Sequence, residues 1–277
     1  MRGQSSSCAK MSTRGGAMLR AFSDLKSLSL GAIDGDIGTV KDAYFDDRHW
    51  TLRYLVATTG SWLSGRTVLL VPQAIRGVGW ERKRVDVDLT CEQVRDAPGI
   101  EFEKPVSRQQ EASYFDYFGY PYYWSGPTWG GLGATGGAEI AAAQLAQRAE
   151  AASRKERDED KGDPHLRSAE EVHGYTIKAQ DGELGSVKDF LFEDTNWSLR
   201  YFVLDTRKWL PGRKVLISTD WIENVSWESR AVEVAMLREE VRASPEYDPN
   251  DLRPEQEESL HRHYGREAQR PTRVQIR

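Results

Sequence analysis

The segment Trp50-Thr-Leu-Arg53-Tyr54-Leu-Val56, followed by Trp62-Leu63-Ser-Gly65-Arg66-Thr-Val68-Leu69, occurs twice in this chain. The second copy reads Trp197-Ser-Leu-Arg200-Tyr201-Phe-Val203, then Trp209-Leu210-Pro-Gly212-Arg213-Lys-Val215-Leu216. Both parts are offset by 147 residues (197 − 50 and 209 − 62). The match to residues 35–98 runs without a gap from Gly182 to Pro245, with about 29 of 64 positions identical. It continues more weakly in the same phase, setting Glu111 opposite Glu258 and Tyr117 opposite Tyr264. A repeat of this length gives two domains rather than a solenoid of small units, and 277 residues suffice for two modest cores.

Within each copy the pattern is that of short strands. Asp34-Gly35 and Asp181-Gly182 are hairpin-turn signals, since both residue types tolerate positive φ. Asp36–Phe45 and Thr51–Thr58 are rich in β-branched and aromatic residues and are joined by the polar turn Asp46-Asp47-Arg48-His49. In the second of these strands Leu52, Tyr54 and Val56 share one face, and Arg53, Leu55 and Ala57 the other, which predicts partial exposure of the Arg53 face. Arg66–Val71, Ile75–Trp80 and Arg84–Leu89 complete the strands, with Pro72 ending the first. Thr90 and Gln93 form a capping box for a short helix reaching Asp96. Closely spaced short strands with turn signals favour a small barrel or a strongly bent sheet.

The rest of the chain reads as connecting sequence. Residues 1–17 and 266–277 are expected to be disordered, the latter basic, and Met11 and Met18 are alternative starts. Residues 126–165 form a linker that is Gly- and Pro-rich, then Ala-rich with helix propensity, then charged. The domains therefore span 18–125 and 166–265. The first carries a charge of about −2 and the second about −7, against +3 on each tail. Neither domain is basic, which argues against nucleic-acid partners, because phosphate neutralisation needs clustered Lys and Arg. Cys8 and Cys91 share no short spacing, so neither a disulfide framework nor a cysteine zinc site is expected. No apolar run approaches the ~18 residues of a membrane span, and the N-terminus lacks a signal-peptide core. The expected setting is the cytoplasm.

The Asp-Gly turn, Gly38-Thr-Val-Lys-Asp42 with its counterpart Gly185–Asp189, the Trp-x-Leu-Arg-Tyr strand and the Trp-Leu-x-Gly-Arg loop together resemble PRC-barrel domains. That family is named for the cytoplasmic domain of the photosynthetic reaction centre H chain. The end of the chain, Leu260-His-Arg-His-Tyr264-Gly265-Arg266, is also similar to the end of H-chain-like bacterial proteins. The resemblance implies a mainly β fold: two tandem small PRC-type β-barrels, each with a short C-terminal helical extension, joined by a partly helical linker. It implies protein contact rather than catalysis, through an unidentified protein partner, by barrel–barrel packing within the chain or in a homodimer. It also leaves open peripheral contact with the inner membrane and with photosynthetic electron transfer. A ligand- or metal-responsive sensor is a further alternative.

No constellation carries catalysis. Gly-x-Ser-x-Gly, a P-loop and a dinucleotide glycine fingerprint after a strand are all missing from the sequence. Asp46-Asp47 and Glu193-Asp194 could bind a cation, but their turn position favours local hydrogen bonding. His261 and His263 are the only close histidine pair, and two histidines alone do not make a zinc site. No catalytic, metal or cofactor residue is therefore assigned. The candidate protein-contact residues are Trp62, Arg66, Trp209 and Arg213 in the repeated loops, with each Arg expected to pair with a carboxylate. Tyr117, Tyr120, Tyr122 and Trp124 join them from an aromatic run peculiar to the first copy, which either packs on its own unit or docks on a partner.

Overall fold

A computed structural model describes residues 18–26, 28–60, 63, 65–98, 108–120, 165–206, 213–226, 228–249 and 254–265. The expected disordered ends and helical linker lie outside these residues, except for His165 at the end of the linker. The protein is mainly β, with two sheets of seven strands. The first copy contributes β1 (Leu19–Ala21), helix α1 (Phe22–Leu25), β2 (Ser29–Gly31), β3 (Asp36–Asp46), β4 (Thr51–Thr59), β5 (Thr67–Leu70), β6 (Ile75–Gly79), β7 (Arg84–Val87), α2 (Cys91–Asp96) and α3 (Arg108–Phe118). The second contributes β8 (Leu166–Ser168), α4 (Ala169–Val172), β9 (Thr176–Ala179), β10 (Gly182–Glu193), β11 (Leu199–Asp205), β12 (Lys214–Ser218), β13 (Ile222–Ser226), β14 (Ala231–Val234), α5 (Arg238–Ala243) and α6 (Pro254–His263).

The order in the first sheet is β5-β4-β3-β2-β7-β6, and in the second β12-β11-β10-β9-β14-β13. The two edge strands of the first sheet, β5 and β6, are consecutive in the chain, joined through the 3-10 turn Pro72–Ala74. Leu70 and Ile75 can therefore be at most about 18 Å apart, five virtual bonds at full extension. Five strand spacings across a flat sheet would need about 24 Å, so the sheet must bend. No ladder joins β5 to β6 among the described residues. The bend also needs close backbone approach. A Cβ on Gly185, at φ 139°, would sit 2.1 Å from the Asp205 carbonyl oxygen, which explains glycine at that point of the repeated motif.

The seventh strand of each sheet comes from the other copy. β1 pairs antiparallel with β10, Leu19 opposite Glu193 and Ala21 opposite Leu191. β8 pairs in the same register with β3, Leu166 opposite Asp46 and Ser168 opposite Tyr44. The spans 18–125 and 166–265 thus do not coincide with the sheets, because each lends its first strand to the other. Both faces of β4 are buried along most of its length, contrary to the expected exposure: Arg53 is 5% exposed and Leu55 is fully buried. Arg53 tolerates this because its guanidinium donates to Asp46 Oδ2 at 2.8 Å.

The C-terminal helices pack on their own units. The Tyr54 hydroxyl donates to Glu111 on α3 at 2.6 Å, and the Tyr201 hydroxyl to Glu257 on α6 at 2.9 Å. Glu257, not Glu258, is therefore the spatial counterpart of Glu111, which corrects the expected phase by one residue. The cause is a shorter connection: α3 starts ten residues after Pro98 (108 − 98) and α6 nine after Pro245 (254 − 245).

Candidate functional site at the junction of the two units

Several of the residues that recur at the 147-residue offset meet at one junction, among them Trp50 and Trp197, Asp42 and Asp189, and Asp47 and Asp194. β3 and β10 are each followed by a turn that ends on a tryptophan in the left-handed region, Trp50 at φ 49° and Trp197 at φ 63°. That conformation is costly for a bulky residue and persists only where surroundings fix it. Here the surroundings are reciprocal. The Leu52 N–H donates to the Trp197 carbonyl at 2.9 Å, and the Leu199 N–H to the Trp50 carbonyl at 2.6 Å. The Trp50 ring stacks on Phe45 and meets Phe202 edge-on, at centroid distances of 6.0 and 5.6 Å. Trp197 stacks on Phe192 at 5.5 Å. Phe190 completes the cluster, 5.8 Å from Phe45, 4.8 Å from Phe202 and 6.2 Å from Phe22 on α1. Aromatic pairs at these spacings add about 0.5–1.5 kcal/mol each beyond the area they bury.

Polar side chains anchor the exchanged strands. Asp47 receives β8: its Oδ2 accepts from Arg167 Nε at 2.6 Å, and its Oδ1 lies 2.8 Å from His165 Nδ1. Asp194 receives β1, accepting the Met18 N–H at 3.0 Å with Arg20 Nε at 3.5 Å. The aspartate closing each Gly-x-Val-Lys-Asp motif holds the helix that follows the exchanged strand. Asp42 accepts from the Ser168 hydroxyl at 2.6 Å and the Glu170 N–H at 3.0 Å, while Asp189 accepts the Ser23 N–H at 3.2 Å. Lys26, just past α1, and Glu170 on α4 close the contact between the helices at 2.5 Å.

The first carboxylate pair is thus engaged by arginine and histidine side chains. Asp46 binds Arg53 and His49, and Asp47 binds Arg167 and His165. No group of three potential metal ligands occurs among the described residues. Burial pushes the Asp46 carboxyl up, but hydrogen bonds from Arg53 and His49 and the charge of Arg53 outweigh it and hold it at about 2. Asp42 moves the other way: burial raises it, and the hydrogen bonds from Ser168 and Glu170 offset only part of that. A depressed carboxyl contributes stability that is complete above its unfolded value near 4 and disappears as pH falls through its folded value. Asp46 should therefore remove about 2 kcal/mol of stability between pH ~4 and ~2. Asp42 has the opposite sign, losing stability as pH rises above the usual carboxylate range. In acid-denaturation series, Asp46→Asn should flatten the loss below pH 4.

The expected contact residues divide. Arg66 donates to the carbonyls of Arg95 and Ala97 at 3.0 and 2.9 Å, and Arg213 donates to those of Arg242 and Ser244. Both arginines close the C-terminal ends of the short helices α2 and α5, where carbonyls lack helical partners and the dipole favours a cation. The expected carboxylate partner is replaced by backbone. Arg213→Ala should cost about 1 kcal/mol in urea unfolding and leave the junction intact. Tyr120 is half-buried, stacked on Phe118 at 5.6 Å. On α3 Tyr114 and Phe115 are buried, at 1% exposure each, so this part of the aromatic run packs on its own unit. Tyr117 remains 42% exposed, its hydroxyl donating to the Gln93 carbonyl. Trp62, Trp209, Tyr122 and Trp124 lie outside the described residues.

His261 is buried rather than presented to a ligand, its Nε2 3.0 Å from the Tyr201 hydroxyl. A recess of about 530 Å³ opens beside the junction, lined by Phe22, Phe190, Val203 and Tyr247 together with the exposed Lys188 and Lys214. Tyr247 is pushed up to about 12, first by burial and then by Asp189, Asp24 and Asp248.

Sequence reasoning quoted Asp42, Asp189, Asp47 and Asp194 without seeing their task. The signal for it was present. Leu19-Arg20-Ala21 and Leu166-Arg167-Ser168 repeat at the same offset, upstream of the gap-free match. No helix among the described residues is long and apolar enough to cross a membrane. No protein-family model and no curated protein matches the chain.

Proposed function

We propose that the chain is a non-enzymatic assembly module made of two PRC-barrel-like units that hold each other through exchanged strands and present their outer surfaces to a protein partner. The single observation that carries this reading is where the repeated polar and aromatic residues go. The Trp-x-Leu-Arg-Tyr strand and the Gly-x-Val-Lys-Asp motif supply side chains and backbone to the junction, and Arg66 and Arg213 close helices. These groups are committed to architecture rather than to a reacting centre. The bent sheets, with opposite edges joined by one 3-10 turn, support the barrel assignment. Among the described residues the surface left for a partner includes the exposed Tyr117, and the proposal extends to Tyr122 and Trp124 of the same aromatic run. A crosslinking pull-down with the full chain should recover a discrete partner, and deletion of residues 121–125 with Tyr117→Ser should abolish recovery from a chain that still unfolds cooperatively. Saturable turnover of a metabolite by the purified chain would defeat the reading.

The recess at the junction favours a second reading, a ligand-responsive module. Residues from both copies line it, so a bound ligand would tighten their association. Thermal-shift screening tests this; the reading requires a ligand that raises the melting temperature and loses its effect in Lys188→Gln/Lys214→Gln.

A further inference from the structure

We propose that the strand exchange also closes between two copies of this chain, the first unit of one copy pairing with the second unit of another to give a two-fold dimer. This stands on the observed exchange and holds whether or not an outside partner exists. Each sheet is completed by a strand from the other unit, in matching registers. The joining surface is core-like: Phe45, Phe190 and Phe202 are each at most 1% exposed. A unit separated from its mate would expose these rings and the unpaired edges of β3 and β10. A unit of the same kind matches such a surface in both its open strand edge and its apolar face. Whether that unit is in the same chain or another does not change the contacts. Tethering alone favours closure within the chain, by an effective concentration of order mM for a flexible connection.

The packing also says which unit pairs with which. Phe190 and Phe202 of the second copy occupy the positions of Ala43 and Leu55 in the first, and Phe22 of the first occupies that of Ala169 in the second. One end of the junction is therefore filled by Phe22 against Phe190, while its pseudo-symmetric counterpart falls to Ala169 and Ala43, both buried. Pairing two second units would set Phe190 against Ala169 at both ends and place Phe202 twice where the chain has one Phe202 and one Leu55. Pairing two first units would set Phe22 against Ala43 at both ends and place Leu55 twice. Each mismatch costs stability, so first-to-second pairing is selected. Two chains then satisfy all four units in one closed, isologous dimer.

The test refolds the full chain from denaturant at concentrations from about 1 μM to several mM, as a mixture of two fluorescent labels. Mass is measured by light scattering and label pairing by energy transfer. The expected result is monomer at the low end and a rising fraction of mixed-label dimer as the concentration approaches the mM range. Monomer at every concentration, or a ladder of larger species without a discrete dimer, overturns the proposal. A second measurement uses full-length Phe45→Asp and Phe190→Asp, each of which blocks closure within its own chain. Refolded together they should form a 1:1 heterodimer, because the second unit of the first variant and the first unit of the other are both intact. Absence of that heterodimer, under conditions where the unaltered chain refolds, also overturns it.

Discussion

Replacing Asp47 by alanine should destabilise the whole molecule by about 3–5 kcal/mol, whereas the equivalent change at Asp194 should cost about 1 kcal/mol. The two residues hold the two exchanged strands at matching positions, but in different surroundings. Asp47 and Arg167 side chains are 10% and 9% exposed and meet at 2.6 Å. Removing the carboxylate takes the Asp47 charge away from a buried guanidinium, and that desolvation is the expensive part. Asp194 and Arg20 are 19% and 26% exposed and 3.5 Å apart, and Arg20 also lies over the Trp80 ring, 4.8 Å from its centroid. Solvent and the ring compensate much of that loss. Urea unfolding of the two variants side by side checks the contrast. Equal effects would mean that the two exchanges are equivalent in energy as well as in register.

Phe190→Ala should lower stability by about 3–5 kcal/mol, the range for truncating a fully buried ring. It should do so in one transition. Phe190 belongs to β10, yet it touches Phe22 and Phe45 of the first copy as well as Phe202 of its own. A cavity there weakens both sheets together. Tryptophans lie in both halves, so their fluorescence and far-ultraviolet circular dichroism should move to the same lower urea midpoint. Two separated transitions would show units that fold independently.

Much of the fold was legible because local chemistry set it. The strands from Asp36 to Val87 fall within one or two residues of their expected limits, and Thr90 and Gln93 form the capping box that their spacing predicts. What sequence could not show is long-range. Leu19-Arg20-Ala21 is three residues long and carries no periodicity. It becomes a strand only because β10, about 170 residues away, offers an open edge. Arg53 was expected to be partly exposed because an arginine on a strand face usually is. It is buried because Asp46, at the far end of the preceding strand, supplies the countercharge. Arg66 was expected to seek a carboxylate, and the open carbonyls of α2 come closer. The phase of α6 slipped because a one-residue deletion in a low-identity connection leaves no mark in pattern alone. The candidate site was half visible: its aspartates and the tryptophans Trp50 and Trp197 were quoted in the repeats, but a repeat does not say which copy a side chain will touch, and Phe22, Phe190 and Phe202 have no aromatic counterpart to mark them.

The central claim is that each unit completes the other's sheet with its first strand. A cysteine pair at Leu19 and Glu193 tests it directly. Opposed residues on antiparallel strands have Cα separations of about 4.5–5.5 Å, within disulfide range, although these two positions are 174 residues apart (193 − 19) in sequence. In a Cys8→Ser/Cys91→Ser background, Leu19→Cys/Glu193→Cys should oxidise within single chains in dilute solution and raise the unfolding midpoint. Leu19→Cys paired instead with a cysteine at Asp46, the matching position of its own unit, should stay reduced. Free thiols in the first variant, or a disulfide in the second, would contradict the exchange.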